Sequence, residues 1–117
     1  KIRTKIVYLP KPGPGEIVGD EFMNIVNSEP EDKTILDVRS VEESAEGEIA
    51  WAVKIPLDDL QGSLGSLSKD KEIIIHCSTG MRAQMAYSVL KDAGYKTRFL
   101  NDKIAFIKEQ PICCFKE

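Results

Sequence analysis

Three consecutive isoleucines, Ile73 to Ile75, stand inside the stretch "KEIIIHC" at residues 71–77. Successive side chains of a strand point to opposite faces, so an unbroken apolar run of this kind describes a strand buried on both sides. That environment belongs to the centre of a parallel sheet with helices above and below it. The rest of the chain reads in agreement. "KTILDVR", "AVKIP" and "YKTRFL" are short apolar strands. Helical segments fall between them. "DEFMNIVNS" carries Phe22, Ile25 and Val26 at helical spacing behind Asp20 as N-cap. "VEESAEGEI" is a short acidic helix ending near Gly47, and "LDDLQGSLGSLSKD" reads as broken helical turns. "MRAQMAYSVLKDAG" is a helix through Met85, Ala86, Val89 and Leu90 that Gly94 stops. "DKIAFIKEQ" is expected to be the last helix. The fold class is α/β, a three-layer α/β/α sandwich around a central parallel sheet.

The chain has 117 residues and 42% hydrophobic content, which suits one domain with one core. "KIRTKIVYLPKPGPG", residues 1–15, breaks into prolines and glycines and is expected to be a linker or an added edge segment; the domain proper covers 16–117. Charged residues make up 30% with a net charge of only -3, and Lys and Arg are scattered. No nucleic-acid or membrane partner is expected; a small anion or thiol fits better. No apolar run approaches the roughly 20 residues that span a bilayer, and no signal-peptide pattern appears. The start at Lys1 rather than Met reads as an excised domain or a processed product, so other domains of a longer chain are among the expected partners. Three cysteines, Cys77, Cys113 and Cys114, make no disulfide framework and no zinc spacing, in keeping with a reducing, cytoplasmic setting.

Cys77 ends the isoleucine strand, and ligands of such sheets bind at the carboxyl ends of strands. "CSTGMR" is then a turn into a helix, with unpaired amides and partial positive charge at the helix N-terminus. That terminus and Arg82 favour thiolate, the nucleophilic form of cysteine. Gly80 permits the positive φ that a loop curling around its own cysteine needs. In isolation Cys77 could be one more buried small residue and Arg82 a solvated one. Strand, glycine, arginine and helix at compatible spacing point instead to a site.

Cysteine-dependent phosphatases carry His-Cys, five residues, then Arg. Here His76 and Cys77 are followed by only four residues, Ser78 to Met81, before Arg82. The loop resembles the Cys-x-x-Gly-x-Arg loop of single-domain rhodaneses, the sulfurtransferases, and a phosphatase or arsenate reductase is disfavoured by the count. "LDVRSVEESAEGEIAWAVKIPLDDL" resembles a second rhodanese segment, through Asp37, Val38, Arg39, Glu42, Glu43, Gly47, Ile49, Ala52, Ile55 and Pro56. "YKTRFLNDKIAF" is similar to the family's closing strand, glycine pair and last helix. The resemblance covers residues 16 to about 112. It implies a rhodanese-like fold and a persulfide on Cys77. Ser78, Thr79, Gly80, Met81 and Arg82 would bind substrate; Asp37 and Arg39 would support the site structurally. No metal or organic cofactor is implied, and the partners are a small sulfur-containing donor and a thiol acceptor. The alternative is a non-catalytic rhodanese-like binding or sulfur-carrier module of a larger protein.

Departures from the family pattern gather at the pocket rim. Its His-Ile-Pro-Gly-Ala is Glu48, Ile49, Ala50, Trp51, Ala52, and its glycine pair is Asn101 and Asp102, residue types that tolerate left-handed backbone. His76 neighbours Cys77 but should face the other side of the sheet, a structural place. Trp51 is expected to cap the core edge. Small, uncharged Ser78 and Thr79 leave the rim less cationic, which weakens attraction for thiosulfate. In "PICCFKE" the pair Cys113 and Cys114 could resolve a persulfide on Cys77; an apolar tail against the sheet is the preferred reading.

Overall fold

The computed structural model of the chain describes residues 13–107 and 110–113, with side chains through residue 104. In chain order the elements are β1 (Glu16–Ile17), α1 (Gly19–Ser28), β2 (Lys33–Asp37), α2 (Val41–Ser44), β3 (Val53–Lys54), α3 (Leu57–Leu60), a 3-10 helix (Gln61–Ser66), β4 (Glu72–His76), α4 (Met81–Asp92), β5 (Thr97–Leu100), β6 (Ile104–Ile107) and β7 (Gln110–Cys113). Five strands form one sheet in the order β1-β5-β4-β2-β3, and every pairing in it is parallel.

The isoleucine strand is the middle of that sheet. Lys33 to Asp37 run in register with Glu72 to His76 on one side, and Thr97 to Phe99 with Ile73 to Ile75 on the other. Ile73, Ile74 and Ile75 are all fully buried. Ile73, Ile75 and Cys77 face a cluster with Leu60 of α3 and Ala83, Ala86 and Leu90 of α4. Ile74 faces the opposite cluster, with Phe22, Ile25 and Val26 of α1. Alternation along one strand therefore feeds two cores, each isoleucine contributing about 2 kcal/mol of apolar burial. This is the three-layer α/β/α sandwich. Gly94, at φ 90°, ends α4, where the Tyr95 amide returns to the Leu90 carbonyl.

Two local expectations are corrected. Asp20 is not the N-cap of α1. The chain leaves β1 extended through Val18, which takes the cap position without a side-chain hydrogen bond, and Asp20 lies in the first turn. There its charge still complements the helix dipole. The segment "DKIAFIKEQ" is not a helix; Ile104–Ile107 pairs antiparallel with Gln110–Cys113, Ile104 opposite Cys113 and Phe106 opposite Pro111. A short apolar run satisfies either period, and here the partner segment immediately downstream decides for strands. Cys113 pairs with Ile104 in this two-stranded ribbon, which shares no strand pairing with the main sheet, while Cys114 lies outside the described residues, as do residues 1–12 of the expected linker.

Candidate functional site

β4 stops at His76 and α4 starts at Met81, so Cys77 to Gly80 form the turn at the carboxyl end of the central strand. The turn closes on its own cysteine. Gly80 N–H donates to Cys77 Sγ at 3.0 Å and Ala83 N–H at 3.3 Å. These amides belong to the start of α4, where N–H groups lack intrahelical acceptors. Cys77 is 1% exposed, so the sulfur sits inside the ring rather than on top of it. Gly80 has φ 107°, and a Cβ there would lie 2.6 Å from Asn101 Oδ1 and 2.9 Å from Asn101 Cα. Asn101 therefore backs the loop. A second brace follows, since Ile104 N–H donates to the Ser78 carbonyl at 3.0 Å. Neither Asn101 nor Asp102 takes up left-handed backbone here: among described non-glycine residues only Glu29 has a positive φ.

Arg82 does not point into the ring unaccompanied. Its Nη1 donates to Glu43 Oε1 at 2.6 Å and its Nη2 to Glu43 Oε2 at 2.9 Å, a two-pronged pair. Ser78 Oγ donates to the same Glu43 Oε2 at 2.8 Å. Glu43 is held in place from its own side: the Ser40 backbone N–H donates to Glu43 Oε1 at 2.9 Å, and the Ser40 hydroxyl accepts from Glu43 N–H, a capping box at the start of α2. The Arg82 guanidinium beside it, then the Ser40 amide, hold the Glu43 carboxyl well below the usual carboxylate range. Glu43 and Ala83 are among the groups at the ring that the loop motif alone does not point to. Ser-x-x-Glu at 40–43 is a sequence signal for the former; the latter lies one residue beyond Arg82.

Asp37 and Arg39 form a buried pair behind α2. Arg39 Nε and Nη2 donate to Asp37 carboxylate oxygens at 3.0 and 2.8 Å, and Nη2 also donates to the Gly47 carbonyl at 2.7 Å. Burial raises the Asp37 pKa, but hydrogen bonds from Arg39 and the nearby charges outweigh it, and the net shift is downward. His76 lies on the far face of β4, as alternation requires, with its ring edge-on to Phe22 at a centroid distance of 5.7 Å. Full burial pushes its pKa down to about 4, so the imidazole is neutral at pH 7. The imidazole packs on Phe22, whereas Cys77 belongs to the cluster on the other face of the sheet.

Thr79 and Met81 are exposed on the ring, Met81 at 69%. Of the altered rim residues, Glu48 and Trp51 lie elsewhere. Glu48 pairs with Lys54 at 3.5 Å and lines a cavity of about 280 Å³ with Arg39, Val41 and Pro56. Trp51 packs against the α1 cluster and donates its indole N–H to the Val26 carbonyl at 3.0 Å.

A parallel α/β sandwich with a cysteine ringed by helix-terminal amides at the end of its central strand has the make-up of an anion-binding site. The rhodanese-like domain model matches residues 19–104, and the chain belongs to that family. Among curated relatives it is 40% identical over 67 residues to the Bacillus subtilis "Putative sulfurtransferase YtwF", covering 57% of this chain and 65% of the relative. It is 37% identical over 81 residues to the Bacillus subtilis "Putative sulfur carrier protein YrkF", covering 69% of this chain and 43% of the relative. The chain thus spans less than two thirds of the length of either. A solved rhodanese-like domain protein from Staphylococcus aureus superimposes with a TM-score of 0.69 at 31% identity, over 75% of this chain and 85% of that one.

Proposed function

We propose that the chain is a sulfurtransferase that moves a sulfane sulfur from a donor, such as thiosulfate or a persulfide, to a thiophilic acceptor through a persulfide on Cys77. The observation that carries this reading is the pair of amides, from Gly80 and Ala83, aimed at Cys77 Sγ. In the first step the Cys77 thiolate attacks the donor's outer sulfur; a new S–S bond forms and the old one breaks, with sulfite leaving when the donor is thiosulfate. In the second step the acceptor, cyanide or a thiolate, attacks the outer sulfur and Cys77 leaves as thiolate. Both steps balance without an external oxidant or reductant. The amides act as preorganised donors to whichever sulfur is negative, as an oxyanion hole does for oxygen. Arg82, through Glu43, fixes the loop that carries them.

Intact mass after incubation with thiosulfate or a persulfide tests this. The parent protein gains one sulfur atom, cyanide removes it, and Cys77→Ser gains none. The 43% coverage of a relative named as a sulfur carrier favours one second reading, a carrier or binding module within a larger protein. Folded protein that takes up no sulfur from any donor, with Cys77 still open to alkylation, would leave a binding module as the surviving reading.

A further inference from the structure

The cavity of about 280 Å³ lies at the edge of the sheet, where the end of β3 gives Lys54 and Pro56 and α2 with its C-cap gives Val41 and Ala45. Val41, Ala45 and Pro56 supply apolar surface. Lys54 and Glu48 supply one charge of each sign, with Nζ and Oε2 3.5 Å apart. Arg39 lines the cavity too, but its guanidinium is engaged by Asp37 and the Gly47 carbonyl. A second hollow of about 320 Å³ shares Ser44, Ala45 and Glu48 with the first and adds Glu46. Negative charge therefore gathers on the Glu48 side and positive charge at Lys54.

We propose that this cavity binds a free α-amino acid with an apolar side chain, and that its occupant is an effector of the Cys77 loop. Such a ligand carries one charge of each sign on a single carbon, with an apolar branch beside them. Its ammonium meets Glu48 and its carboxylate meets Lys54, so the two dipoles lie antiparallel. The protein's own pair is 39% and 41% exposed, weak enough to adjust to the ligand at little cost. The apolar branch covers Val41, which is otherwise 71% exposed, together with Ala45 and Pro56. A simple anion or cation would meet one like charge here and is disfavoured. An added peptide strand is disfavoured as well, since β3 has two residues, one of them Lys54, and Pro56 beyond it has no N–H to offer. The volume lies just below the roughly 300 Å³ at which drug-sized sites begin, which suits one amino acid. α2 links this cavity to the loop: Val41 and Ala45 bracket Glu43, which engages Arg82 and Ser78. A ligand that binds only the formed helix stabilises it, and with it the loop that aims its amides at Cys77. The effector role rests on the sulfurtransferase reading; the binding site does not.

Calorimetric titration of the full chain with L-leucine, isocaproate, isoamylamine and N-acetyl-leucine amide tests the site. Leucine should bind, and the three analogues, which lack its ammonium, its carboxylate or both charges, should bind about tenfold more weakly or worse. Glu48→Gln and Lys54→Gln, both at exposed positions, should each weaken leucine by a similar factor. In the parent chain saturating leucine should speed sulfur loading, followed by intact mass, about fivefold, the lower end of ordinary coupling between sites. Failure of leucine to bind overturns the proposal, as does equal binding of the uncharged amide, which would make the cavity a docking pocket for a peptide. Leucine binding with an unchanged loading rate overturns the effector role. A parent chain that loads no sulfur removes that role together with the sulfurtransferase reading, while the titration still decides the site.

Discussion

Gly80 meets two demands at once, a backbone turned to φ 107° and contact with Asn101 closer than any side chain allows. Ala at this position has to relieve strain and overlap together, and Gly80→Ala should cost roughly 1–3 kcal/mol of stability. Because the Gly80 amide is one of the two on Cys77 Sγ, the same variant should load sulfur more slowly even below its melting temperature; denaturant titration and intact-mass time courses separate the two effects. At this scale the site was half legible. Cys77, Gly80 and Arg82 fall within one six-residue stretch, so spacing alone assembled them. Glu43 stands 39 residues before Arg82, and local spacing carries no such distance. Arg82 was expected to bind substrate; the structure adds that its guanidinium is paired with Glu43, a partner that the loop spacing does not point to. The place of His76 did follow from strand alternation, because a buried central strand has two faces and Cys77 occupies the other.

α2 is four residues long, too short to be stable by itself, and it holds the residue that engages Arg82. Its capping box is what keeps it formed. Ser40→Ala should cost about 1 kcal/mol and loosen Glu43 from Arg82, since the Ser40 hydroxyl also donates to Glu43 Oε1 at 3.0 Å. Rates of sulfur loading measured well below the unfolding transition should fall, while a control such as Glu42→Ala, on the exposed side of the same helix, should leave them unchanged. Elements with a dense apolar signal, β2, β4, β5 and α4, were readable from pattern. β1 and β3 have two residues each, and nothing of that length has a period. β6 and β7 were misread because Ile104, Phe106 and Ile107 fit a helix as well as a strand, and only pairing with Gln110–Cys113 settles the matter.

For the molecule as a whole, buried titratable groups set the response to acid. His76 is neutral in the folded state with a pKa near 4, against an ordinary value of 6.5. Below pH 6.5 the unfolded chain binds a proton there that the folded chain refuses, so stability falls as pH drops from about 6.5 to about 4. The difference corresponds to about 3 kcal/mol. Asp37 and Glu43 are shifted the other way from protonation, so their contribution is present above their ordinary range and is lost as pH falls below it. Urea midpoints should be level above pH 7 and decline from pH 6.5 downward, with His76→Phe removing the upper part of the decline and leaving the lower part. Equal slopes between pH 6.5 and 4.5 in parent and variant would show that His76 is not its source.

The first strand pairs with the last strand of the main sheet, Glu16 with Phe99 and Ile17 with Leu100. An all-parallel sheet contains no pair that a tight turn can zip, so each strand waits for a later part of the chain before it finds its neighbour. β1 waits longest. During synthesis its binding edge does not exist until β5 has emerged, and its docking is among the last events of assembly. Loss of packing there should then alter departure rather than arrival: Ile17→Ala should speed unfolding while leaving the folding rate nearly unchanged in a stopped-flow chevron.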